Sequence, residues 1–141
     1  MSRQDAPTDT PPATPRVLAG AGLLVGIWAF LPPYTGPALN TAARVEFADH
    51  VVPAIVVVAI SALALVVGRR RGTDWLLFAA GLGVVLAGFW MTATHLPLVV
   101  QAMRGEAPWG ATVYHSLPGL AVLGLGVAWA LTYRSEPTPE D

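Results

Sequence analysis

Four long apolar stretches alternate with short polar breaks: Val17–Leu31, Val51–Gly68, Trp75–Leu96 and Thr112–Thr132. None contains Arg, Asp or Glu, and Lys is absent from the chain. A soluble amphipathic helix keeps one polar face. Ala54–Val67 reads AIVVVAISALALVV and is apolar on every side. A bilayer core of about 30 Å takes roughly 20 apolar residues as helix. The pattern therefore predicts an all-α integral membrane protein, a bundle of four transmembrane helices.

Local signals place the helix ends. Thr14 suits an N-cap and Pro15 a first helical position, while Pro32-Pro33 stops the first helix. Thr73-Asp74 opens the third helix, and Pro97 is expected to close it. Pro53 and Pro118 stand near the starts of helices two and four. From Pro53 to Gly68 a helix rises only about 24 Å. An earlier start with a kink at the proline is therefore expected. Residues 1–14 and 135–141 are rich in Pro, Thr and acidic residues and are expected to be disordered tails. The transmembrane domain is then 15–134.

Composition agrees with this picture: 54% of residues are hydrophobic and 12% charged, outside the usual soluble range. A net charge of −1 with no basic patch beyond Arg69-Arg70-Arg71 gives no footprint for nucleic acid. The absence of cysteine removes thiolate and iron–sulfur chemistry. Arg3, Arg16, Arg69, Arg70, Arg71 and Arg134 fall on one side of the expected topology, and Arg44 and Arg104 on the other. The positive-inside rule then places both termini and the Arg69–Arg71 loop in the cytoplasm of a multi-pass protein of the cell membrane. Trp28, Tyr34, Trp90, Trp109 and Tyr114 would ring the outer interface, and Trp75, Trp129 and Tyr133 the inner one. A competing reading makes Val17–Leu31 the apolar region of a secretory signal, with the small residues near Asn40–Ala43 downstream.

The two halves of the chain echo each other, which argues against cleavage. Gly26-Ile27-Trp28 corresponds to Gly88-Phe89-Trp90, and His50-Val51-Val52-Pro53 to His115-Ser116-Leu117-Pro118. Gly26 and Gly88 are 62 positions apart, and His50 and His115 are 65 apart. The expected units are two tandem helical hairpins, about 16–70 and 73–134, related by an axis along the membrane normal. The segment Gly26–Tyr34, reading GIWAFLPPY, resembles the signature of the SPW-repeat membrane proteins through Gly26, Trp28 and Pro33. Pro32 stands in place of the family's Ser and Tyr34 in place of its final Trp, and the second half lacks the Ser-Pro-Trp segment. The resemblance implies a membrane location and a fold of two-helix units, and it carries no catalytic residues.

Small residues should let the helices approach. Gly22 and Gly26 form a GxxxG step, and Ala79, Gly83 and Ala87 recur every fourth residue. These stripes fit contacts within the bundle or a homo-oligomer face. Distinctive chemistry rests on His50, His95 and His115, with Glu46, Asp49 and Glu106 in nearby loops. His50 and His115 could hold a haem b across the pseudo-two-fold axis. Alternatively, the three histidines with a carboxylate could bind a transition metal. They could also be interfacial residues bonded to backbone or headgroups. No nucleophile–base pair, phosphate loop or paired carboxylates lie within a span, so a conventional enzyme is not expected. Deep polar groups are few, Ser61 among them, which speaks against a permeation path. The expected partners are the lipid bilayer and a homo-oligomer or larger membrane complex. Two functions remain open: a non-catalytic structural or accessory component, or a haem- or metal-binding membrane redox subunit.

Overall fold

The computed structural model of the chain describes residues 14–35, 43–67 and 73–134. Both expected tails, the Arg69–Arg71 loop and Asn40–Ala42 lie outside them, save Thr14. The described residues are helical almost throughout, with no strand among them. In order they form α1 (Thr14–Phe30), α2 (Pro32–Thr35), α3 (Ala43–Glu46), a π turn (Phe47–Val51), α4 (Val52–Val67), α5 (Asp74–Met103) and α6 (Trp109–Thr132). Three helical segments are long and apolar enough to cross a membrane: Phe47–Val67, Asp74–Met103 and Trp109–Thr132. The apolar α1, at 17 residues, is shorter.

Prolines interrupt these helices less than the sequence suggests. Pro97 does not end the third helix: α5 carries it internally and continues to Met103. A proline removes one N–H and keeps a helical φ. Where lipid offers a freed backbone no alternative partner, continuing the helix costs least. Ala102, beyond the proline, is buried and holds the last turn down. The break comes instead at Gly105, whose φ of 75° is left-handed. There the Gly105 N–H donates to the Ala102 carbonyl at 3.0 Å and the Glu106 N–H to the Gln101 carbonyl at 2.9 Å. This pair of bonds is a Schellman cap, which glycine favours. Pro118 likewise lies inside α6. Pro53 follows the π turn, where the Val52 N–H reaches back to the Phe47 carbonyl.

α5 packs mainly on α6 and α1 mainly on α4, while α4 also meets α5 and α1 meets α6. The α5–α6 seam is the tightest. A Cβ on Gly81 would lie 2.6 Å from the Ala130 backbone nitrogen, and one on Gly119 would lie 2.9 Å from Met91 Cβ. A Cβ on Gly88 would run into the Leu123 backbone, and one on Gly126 into that of Val85. The contacts step along two antiparallel helices at intervals of seven: Gly81 and Gly88 on one, Gly119 and Gly126 on the other. The next step on α5 is His95. On α1, Gly22 lies against Ser61 and Trp129, and Gly26 against Val57 and Val58. Gly83 faces Ile60, Ala87 is buried, and Ala79 is exposed. The closest approach therefore runs through Gly81 and Gly88 rather than through the Ala79–Gly83–Ala87 stripe. Trp129 is fully buried, at 0% exposure, so it belongs to the core and not to an inner aromatic ring.

Candidate metal centre

Three helical segments each bring one histidine to the same place. His50 comes from the π turn, His95 from α5 just before Pro97, and His115 from α6 just before Pro118. All three are buried, with 1%, 7% and 2% of their surface exposed. One ring nitrogen from each lies within 4.8 Å of the others. His50 Nε2 is 2.9 Å from His95 Nε2 and 3.4 Å from His115 Nδ1.

Local structure explains the convergence. His95 is the seam position one step beyond Gly88, so its side chain enters the space between α5, α6 and the start of α4. Its ring folds back on its own helix, and Nδ1 is 2.6 Å from the Met91 carbonyl. A carbonyl can only accept, so this bond assigns the proton to Nδ1 and leaves a lone pair on Nε2. The Thr94 hydroxyl donates to the same carbonyl at 3.1 Å. The π turn holds one more residue per hydrogen-bonded ring than an α turn and re-aims His50 toward the other helices. His50 donates from Nε2 to the His95 lone pair, the one arrangement that satisfies the 2.9 Å contact when His95 carries its proton on Nδ1. The Ala29 backbone also acts on the His50 ring, but no hydrogen bond of ordinary geometry reaches Nδ1.

The carboxylates sit further out. Glu46, Asp49 and Glu106 line a cavity of about 570 Å³ whose wall includes the three histidines. Asp49 and Glu46 act electrostatically on His95. None of the three belongs to the tight set of nitrogen atoms.

Chemically, the cluster offers three imidazole nitrogens, one from a ring whose second nitrogen is tied to a carbonyl. Metal-binding histidines are usually held in this way, which fixes tautomer and ring orientation. Around a tetrahedral ion with bonds of 2.0–2.1 Å, ligand nitrogens stand about 3.3 Å apart. The two short separations here bracket that value. The three buried histidines therefore lie close enough together to hold one metal ion.

The remaining positions singled out by sequence serve the scaffold. Pro33 is half-buried and Tyr34 is exposed, stacked on Phe30 with centroids 5.3 Å apart. Thr35 and Tyr114 share a hydrogen bond of 2.6 Å that ties α2 to α6. Trp28 is half-buried and Trp90 exposed. Pro53 and Pro118, each three residues after a histidine, are buried. The sequence reading offered His50 with His115 for a haem, or all three histidines with a carboxylate for a metal; the three histidines come together, and no carboxylate joins their tight set. The seven-residue spacing Gly81–Gly88–His95 was the available signal. Comparison with protein-family models, with curated proteins and with solved structures finds no match for this chain.

Proposed function

We propose that this chain is a small polytopic membrane protein that binds one transition-metal ion through His50, His95 and His115. The observation that carries the reading is the convergence of three buried imidazoles from three helical segments, with ring nitrogens within 4.8 Å. The metal-free arrangement leaves His50 Nδ1 buried without a partner. Such a group costs about 1–3 kcal/mol. With an ion on Nε2, the His50 proton would move to Nδ1, and the Ala29 backbone acts on the same ring. A purely structural role gives no reason for this arrangement.

A haem is a poorer fit. Its two axial nitrogens stand on opposite faces of the macrocycle, about 4 Å apart with the ring between them. His50 Nε2 instead has one partner nitrogen at 2.9 Å and another at 3.4 Å. A single ion favoured by imidazole, such as Zn(II), Co(II), Ni(II) or Cu(II), suits the set better.

The proposed setting is a four-helix membrane bundle of two tandem hairpins, with α1 as the fourth span. Support for the repeat comes from packing. Gly26 meets Val57 and Val58 in the first hairpin, and Gly88 meets Val122 and Leu123 in the second. These partners are separated by the same 65 positions as His50 and His115. The SPW-like segment Gly26–Tyr34 belongs to the same reading. His95 lies about 31 Å along α5 from Asp74, one hydrocarbon thickness from the inner end. On the arginine distribution, this end faces outward in the cell membrane. An accessory place in a larger complex or a homo-oligomer is compatible with metal binding and is part of the proposal.

The test is metal analysis and Co(II) titration of the detergent-purified full chain. One equivalent of metal per chain is expected, with the absorption of a low-symmetry nitrogen site. His50→Ala, His95→Ala and His115→Ala should each weaken binding at least about a hundredfold while helicity is retained. Affinity should fall as pH is lowered, because each imidazole must give up its proton to bind. A wild-type protein that takes up no metal above the level of the triple His→Ala variant would sink the reading.

A further inference from the structure

Structural metal sites are closed by four protein ligands, whereas sites that exchange or react keep a position open. Here three nitrogens converge, and the wall they share belongs to a cavity of about 570 Å³. Among the described residues its wall carries the acids Glu46, Asp49 and Glu106 and no arginine. The acids arrive from separate elements. Glu46 ends α3, Asp49 lies in the π turn beside His50, and Glu106 follows the Gly105 cap of α5. Other grooves among the described residues, such as that between Gly26, Phe30 and Ile55, have apolar linings.

The acids stand outside the ligand group, yet Asp49 and Glu46 act on His95 through space. Carboxylates in a cleft with low-dielectric walls focus their field and raise the local concentration of cations. Each of the three histidines is at most 7% exposed, and the cavity they line is shared with the acids.

We propose that this acidic vestibule is the route by which a hydrated divalent transition-metal cation reaches and leaves the histidine site, and that the bound ion is exchangeable. The inference rests on the metal-binding reading above. The carboxylates supply attraction during loading, and the imidazoles supply the bonds.

Stopped-flow Co(II) loading of the metal-free full chain, in a neutral detergent, tests it. The wild-type association rate should drop several-fold between about 20 mM and 500 mM NaCl, as screening shortens the reach of the acids. The combined variant Glu46→Gln/Asp49→Asn/Glu106→Gln should load about tenfold more slowly at low salt, lose most of the salt dependence, and still bind one equivalent. A chelator added to the loaded protein should extract the ion without unfolding. A salt-independent wild-type rate, or a variant that loads as fast as wild type, overturns the vestibule. Loss of the Co(II) stoichiometry in a folded variant also overturns it, because a carboxylate would then be a ligand. Should the variant fail to fold, the wild-type salt dependence decides alone. A wild type that binds no Co(II) removes the metal reading itself, so the two failures are distinguishable.

Discussion

One proton organises the candidate site. With His95 Nδ1 held by the Met91 carbonyl at 2.6 Å, Nε2 presents a lone pair inward, and His50 must answer it. The histidine pair repeated in the sequence, His50 and His115, was legible from the shared H-x-x-P pattern. His95 entered the sequence reading only as a member of a three-histidine metal set with a carboxylate, because Pro97 reads as a stop two residues later although the helix passes through it. Trp129 misleads in a similar way. An aromatic near a helix end suits either a headgroup belt or a core, and only the packing register decides. At the same scale, Gly105 directs Glu106 toward the vestibule through its left-handed φ of 75°. Gly105→Ala should cost about 1–2 kcal/mol. A thermal unfolding curve in detergent would read the loss, and an unshifted midpoint would refute the cap's role.

At the scale of elements, the α5–α6 seam does most to position two of the three histidines. Glycines at seven-residue intervals bring the backbones together, and the same spacing delivers His95 to the centre. A Cβ on Gly88 would meet backbone atoms of Leu123 and Val122, which cannot swing aside as a side chain can. Gly88→Ala should therefore destabilise by about 1–3 kcal/mol and weaken metal uptake with it. Gly124 has nothing within 4 Å of the same position. Gly124→Ala should be neutral or stabilising by about 0.4–1 kcal/mol, because it only restricts the unfolded chain. Equal midpoints for the two variants in parallel unfolding would contradict this account of the seam. The expected small-residue stripe turns toward α4 instead, with Gly83 against Ile60 and Ala87 buried, while Ala79 is exposed. Sequence spacing shows that small residues recur, but not which of several overlapping series faces the partner helix.

For the whole molecule, hydrophobic pattern alone conveyed the all-helical, lipid-compatible character, since uniformly apolar helices have no other solvent. The arrangement that gathers the histidines depends on α4 meeting α5 and α1 meeting α6, contacts no periodicity encodes. The arginine distribution makes a separate prediction about orientation. Reporters fused after Arg71 should be active on the cytoplasmic side, and those after Arg104 on the outer side. The reverse result would place the histidine end inside the cell and make the vestibule a cytoplasmic opening.

The π turn separates what the helices need from what the histidines need. Removing one residue from Phe47–Val51 would let the segment wind as ordinary α-helix and rotate His50 by about 100° relative to α4. The apolar faces of α4 would keep their register against α1 and α5. A chain of this design could thus gather or disperse its three histidines through a single codon, with the packing of its apolar helices untouched.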